Sequence, residues 1–323
     1  MINLKIEDLN YNLPDEDVDE KDFDIDKWRK DNPMDYFKAV YMLLSSVDLY
    51  PSLPRDIIFA TYFEAIYKVT RQYIPNTLYK FCSLTDDENL NEIKLDTLRN
   101  KKIYMSDIKA FNDPFDGKAY YYNPEELKGI ERLKEFDGKL IDDFTKFHKG
   151  TALTENDTSC MPMWAHYANN HQGYCVAYNM KEQQEPAFYA CTFPVQYTED
   201  RLDITTFMKR YATLISSDVD SQVTNGNKII KLNDISIIYV AQFLCNIKHA
   251  TWQYEKEFRC TIAANAEGSP YIDAIPQAIY IGMNCSENNR KKLVEIATEL
   301  SIPVYQMEFD ELSENYTLKA KII

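Results

Sequence analysis

The chain has 323 residues, 45% of them hydrophobic, with 51 Asp and Glu against 36 Lys and Arg and a formal charge of −15. That length buries a sizeable core, as one large domain or a main domain with an appendage, and the acidic balance argues against a broad basic surface that tracks nucleic-acid phosphates. Seven cysteines at irregular spacing read as reduced thiols, no leader follows Met1, and no apolar run reaches the roughly 18 residues of a membrane helix, so a cytoplasmic protein without membrane contact is expected.

The acidic run Asp15 to Asp22 reads as a solvated segment. Residues 1–75 read as a helical N-terminal appendage. A helix from Asp35 to Leu44 puts Tyr36, Val40 and Leu43 on one side; Pro51 and Pro54 interrupt it. A second helix from Arg55 to Tyr73 puts Ile58, Tyr62, Ile66 and Val69 on a common face, ending at Pro75. Residues 76–323 read as the main domain. It opens with a strand, Leu78 to Cys82, whose alternation sets Tyr79 and Phe81 against Lys80. A helix over Glu88–Asn100 and a strand over Lys102–Ser106 lead to Phe-Asn-Asp-Pro-Phe-Asp at 111–116, where Pro114 and the capping side chains of Asn112 and Asp113 make a rigid corner. A charged helix is expected over Glu125–Phe147.

The central stretch is Met163 to Gly173. As a short helix it carries Trp164, Tyr167, Ala168 and His171 on one face, a surface suited to a flat ligand, with Gly173 as a left-handed stop before the strand Tyr174–Tyr178. Thr192–Tyr197 continues the sheet, residues 202–250 read as a helical insertion, and Trp252–Ala263 returns to extended chain. Ile279–Gly282, Glu287–Leu300 and Val304–Met307 make a strand, helix and strand. This irregular mixture predicts an α+β fold.

Chemistry concentrates in three places. Glu255 and Glu257, two apart on an expected strand, share a face with Arg259; paired carboxylates can divide orienting and charge-bearing roles, or form a solvated ion pair. Lys80 holds an anionic group if it faces a cleft and is an ordinary solvated lysine if it does not. His171 reads as fixing its turn. Cys160, His166, His171 and Cys175 match no paired-ligand zinc spacing, so no metal is expected, and no glycine-rich phosphate loop occurs. Asp113, Asp116 and Lys118 leave open a metal-dependent nuclease.

These motifs, N-D-P-F-D, W-x-x-Y-x-x-x-H-x-G at 164–173 and W-x-x-E-x-E-x-R at 252–259, resemble over residues 78–290 the pattern of a widespread bacterial family of unknown function. More distantly, the order of an early basic residue, a strand ending in Ser106, an aromatic segment and a late E-x-E is similar to the ADP-ribosyltransferase superfamily. That resemblance implies a split mixed or antiparallel sheet and a cleft for NAD as substrate, without a metal. It gives Lys80 the ribose or diphosphate, Tyr167 and Trp164 the stacking of nicotinamide, and Glu257 the catalytic role with Glu255 assisting. Ser106, Asn112, Asp113 and His171 complete the expected binding set. Lys80 departs from the family's arginine or histidine, and the Tyr167 segment reads as helix where a strand is usual. The implied function is an NAD-consuming bacterial enzyme that releases nicotinamide and passes ADP-ribose to water, a protein or a nucleic acid, fitting a defence or toxin role. The alternative is a non-catalytic module that binds a nucleotide or a partner, with the N-terminal helices and the 202–250 insertion as contact surfaces.

Overall fold

The computed structural model of the chain describes residues 24–49, 54–139, 146, 148–229, 236–263 and 269–323. The acidic run Asp15–Asp22 and the segment after Met1 lie outside the described residues, as do parts of the stretches read as helix over 125–147 and 202–250. Among the described residues no helix is long and apolar enough to cross a membrane.

The fold is α+β and its centre is a mixed sheet of nine strands: β1 Thr77–Cys82, β2 Ser106–Asp107, β3 His148–Thr154, β4 Tyr174–Asn179, β5 Thr192–Pro194, β6 Glu257–Ala263, β7 Ala278–Ile281, β8 Val304–Phe309 and β9 Leu318–Ile322. They lie in the order β9-β8-β7-β4-β1-β3-β6-β5, with β2 beside β3. Within this sheet β7 and β8 alone run parallel, because the helix Glu287–Leu300 crosses between them, as a parallel connection requires. Ser286 starts that helix by accepting a hydrogen bond from the Asn289 N–H at 3.3 Å.

The sheet parts in the middle. β1 pairs with β4 from Thr77↔Asn179 to Cys82↔Tyr174, and β3 pairs with β6 along its whole length. Between β1 and β3 the ladder is reduced to one position, Tyr79↔Thr154. The seam that results holds the site described below.

The N-terminal helices, Ile25–Asp31, Tyr36–Leu49 and Arg55–Arg71, share the main core rather than standing apart from it. Tyr36, Val40, Ile58, Tyr62, Ile66 and Val69 are all buried, as their spacing predicts. The Tyr36 hydroxyl donates to the Pro194 carbonyl at 2.8 Å, and its ring stacks on Phe243 of the helix Ser236–Leu244 with centroids 5.8 Å apart. A smaller cluster on the opposite face of the sheet joins Phe81, Met163, Trp164, Cys175 and Met307.

Three expectations change. The charged helix over 125–147 is a single turn at Pro124–Leu127 and a 3-10 helix at Glu131–Phe136, ended by left-handed Asp137 and by Gly138 at φ +77°. The insertion is helical over Thr205–Thr224 and Ser236–Leu244, then turns into a strand, Ile247–His249, that pairs parallel with Gln196–Thr198. Gly173 is not a left-handed helix stop: the positive φ values fall on Asn169, Asn170 and His171. What position 173 needs is the absence of a Cβ, since one built there lies 2.0 Å from the Cys82 carbonyl oxygen. Gly173→Ala is therefore expected to destabilise by about 3 kcal/mol, read as a lowered urea midpoint, because rigid backbone must move. An unchanged midpoint would show that the two chain segments separate easily.

Candidate functional site

A cavity of about 1070 Å³ opens at the seam between β1 and β3. Lys80 reaches across it: its ammonium donates to Thr151 Oγ1 at 2.7 Å and to the Ala152 carbonyl at 3.2 Å. The side chain thus bonds to the facing strand where the backbone ladder is missing. Burial pushes the Lys80 pKa down, with the Cys82 thiol and Glu257 opposing. Lys94 and Lys102 line the same cavity. Lys94 donates to the Ser83 carbonyl and hydroxyl at 2.8 and 2.9 Å, and Lys102 pairs with Asp273 at 2.7 Å.

The acidic wall is built by three segments. The 3-10 helix Ala250–Glu255 ends at Lys256, which is left-handed at φ 44°, and β6 begins at Glu257. Glu255 and Glu257 are therefore not neighbours on one strand face, as alternation predicts; the turn at Lys256 brings their carboxylates to one ammonium instead. That ammonium is Lys248, 2.7 Å from Glu255 Oε2 and 3.0 Å from Glu257 Oε2, and 4.8 Å from the centre of the Trp252 ring. Arg259 follows Glu257 on β6 and meets its Oε1 at 2.6 Å, as the strand period predicts. Its other arm reaches Asp116 Oδ1 at 2.6 Å and the Cys245 carbonyl at 2.7 Å, with the Phe111 ring centre 5.1 Å from the guanidinium.

Glu255, Lys248, Glu257, Arg259 and Asp116 thus form an alternating chain of charge in which no residue is more than 4% exposed. Burial raises the Glu257 carboxyl, but Arg259 and Lys248 together outweigh it and hold it below the usual carboxylate range. At Asp116 burial wins over Arg259, and the carboxyl is raised. Lys248 loses by desolvation and gains more from Glu257 and Glu255, so its pKa rises. Three carboxylates stand against two cations along this chain, and Lys80, which interacts with Glu257 at the same cavity, is a third cation beside it.

Tyr167, the last residue of the helix Met161–Tyr167, points its hydroxyl at this chain. It donates to Glu255 Oε1 and accepts from Asn112 Nδ2, the latter at 2.6 Å. Burial, then the bond to Glu255, raises its pKa. The corner at 111–116 is accordingly the clasp of the site: Phe111 covers Arg259, Asn112 holds Tyr167 and Asp116 closes the charge chain.

Of the residues singled out from sequence, Lys80, Ser106, Asn112, Tyr167, Glu255 and Glu257 line the cavity. Ser106 donates to the Gly150 carbonyl at 3.3 Å. Asp113, Trp164 and His171 do not line it. Asp113 is buried in the corner, where Oδ1 accepts from the Phe115 N–H at 2.9 Å. Trp164 is fully buried, donates to the Thr158 carbonyl at 2.8 Å and stacks on His171 at 5.9 Å, so the face read as ligand-holding divides between the core and the cavity. His171 shapes the turn, its carbonyl accepting from the Asn284 N–H at 3.0 Å. Among the described residues no group of three or more His, Cys, Asp or Glu could hold a metal ion, and all seven cysteines are free. The residue missed from sequence is Lys248. Its signal was a single charge closing the apolar run from Phe243, seven residues before Glu255 and nine before Glu257.

A family described as a protein of unknown function (DUF2971) matches residues 163–260, the span from the Trp164 helix to the Arg259 strand, and leaves out Lys80 and the corner at 111–116. No curated protein and no solved structure matches the chain.

Proposed function

We propose that the cavity binds NAD and breaks its bond between nicotinamide and ribose, as the likeness to ADP-ribosyltransferases implies. What carries this reading is the cavity's lining: Lys80, Lys94 and Lys102 suit an anionic group, and Glu255 and Glu257 beside Tyr167, Trp252 and Tyr254 suit a flat cationic one. NAD has the matching order, an anionic diphosphate and a flat cationic ring. In the reaction the C1′–N bond breaks, its electron pair goes to the ring nitrogen and neutral nicotinamide leaves. Positive charge that develops on the ribose is stabilised by the nearby carboxylate.

Between the two glutamates, Glu255 is the better candidate to face the ribose. Both oxygens of Glu257 are engaged by the cations Lys248 and Arg259, whereas Glu255 meets one cation, Lys248, and the neutral hydroxyls of Tyr167 and Tyr254. Glu257 then keeps the two cations in line. The expected result is nicotinamide release from NAD that falls by about 100- to 1,000-fold in Glu255→Gln, with NAD affinity within a few-fold of the parent. Undiminished release in that variant would sink the assignment.

One observation favours a second reading, a non-catalytic binding module: Lys248 is already paired with both carboxylates. On that reading NAD raises the thermal midpoint of the parent and of Glu255→Gln alike, and neither releases nicotinamide.

A further inference from the structure

We infer that His166 is the general base that takes the acceptor's proton in the reaction proposed above, and the inference rests on that reading. The chain has four histidines. His148 is buried at 2% exposure on β3, and His171 lies in a turn against Trp164. His249 is tied at both ring nitrogens, with Nδ1 2.9 Å from Thr251 Oγ1 and Nε2 3.3 Å from Glu199. His166 alone both lines the cavity and stays exposed.

Its position follows from the helix Met161–Tyr167. Met163 and Trp164 go into the core, Tyr167 into the cavity, and His166, one step of about 100° back from Tyr167, onto the rim. The imidazole centre lies 6.4 Å from the Tyr167 ring and 6.3 Å from the Tyr254 ring, whose residue precedes Glu255. Among the described residues the imidazole has no hydrogen-bond or ion-pair partner, so its ring nitrogens are open to a ligand or water. The titratable groups around it are Tyr167 and Cys160 on its own helix and cap, and Tyr254, Glu255 and, behind Glu255, Lys248 on the facing segments. Of these, Tyr167, Glu255 and Lys248 are engaged with one another, and the Tyr254 phenol is raised by burial and Glu255.

The oxygen of water, or of an acceptor hydroxyl, bonds to ribose C1′ as the C1′–N bond breaks, and the electron pair of that bond leaves with nicotinamide. The proton lost by the attacking oxygen goes to a ring nitrogen of His166 and from there to solvent. An imidazole suits the task because histidine changes charge near neutral pH.

The test is the pH profile of nicotinamide release by the whole chain and by His166→Gln, with NAD titrated to separate kcat from KM. The expected result is a kcat lowered about 100-fold, an unchanged KM, loss of the acid limb of the profile, and partial recovery with added imidazole. Since His166 is exposed, the exchange leaves the core intact. A variant with the parent's kcat and pH profile, while Glu255→Gln still lowers release by the expected factor, would overturn the role of His166 alone. No release from the parent would overturn both readings.

Discussion

Arg259→Met is expected to lower folding stability by about 3–5 kcal/mol, the range for removing one partner of a buried ion pair. Arg259 is fully buried, and its guanidinium serves Glu257, Asp116 and the Cys245 carbonyl at once. Methionine fills much of the volume but leaves Asp116 without its ion-pair partner and Glu257 with Lys248 alone, where water does not reach. The loss is mainly the penalty of those stranded charges. Arg259→Met combined with Glu257→Gln and Asp116→Asn should therefore recover a large part of it, because neither amide needs a counter-charge. Urea unfolding of the parent, the single and the triple variants measures this. A single variant within about 1 kcal/mol of the parent would mean that the charge chain is solvated, which would weaken its action on a ligand in the cavity.

The second large effect is on pH. Burial pushes the His148 pKa down from 6.5 to about 4, with a hydrogen bond to Gln242 opposing. Above pH 6.5 the imidazole is neutral in both folded and unfolded chains and contributes no slope. Between pH 6.5 and about 4 the unfolded chain takes a proton that the native chain refuses, so stability falls with falling pH by about 1.4 kcal/mol per unit, roughly 3 kcal/mol in all. Glu257 acts lower: its depressed carboxyl gives stability that is present above the ordinary carboxylate pKa and is lost as pH falls through the folded value. Asp116, raised by burial, works the other way, its contribution being present at low pH and lost as pH rises through its folded pKa. Unfolding at pH 7, 5.5 and 4.5 should therefore show a slope in the parent that His148→Gln lacks. An equal slope in both would assign the acid sensitivity to another group.

The outline of this fold could be read from local pattern, because burial imposes it residue by residue. The buried positions of the helix Arg55–Arg71 and the run of Arg259 beside Glu257 follow from periods of 3.6 and 2. The site could be read only in pieces. Glu255 and Glu257 were visible as a pair, but the left-handed turn at Lys256, which decides how they meet, has no glycine to announce it. The contact of Asp116 with Arg259 spans 143 positions, a distance over which local periodicity carries no information. Lys248 stayed hidden because its segment extends a helical pattern up to Leu244, and only the pairing of Ile247–His249 with Gln196–Thr198 makes it a strand. Trp164 and Tyr167 were correctly placed on one short helix, yet spacing alone could not tell the side that enters the core from the side that meets a ligand.

The seam between β1 and β3 gives the cavity an unusual gauge. Most pockets are sized by the side chains that fill or vacate a core, and widening one means repacking many neighbours. Here the walls are two strand edges that part beyond Tyr79↔Thr154, and the bridge across the gap is the Lys80 side chain with its bonds to Thr151 and Ala152. The length of one lysine acts as a spacer bar between two otherwise complete half-sheets. Exchanges at position 80 would thus reset the width available to a ligand while leaving the β1–β4 and β3–β6 ladders, and the helices packed on them, as they are.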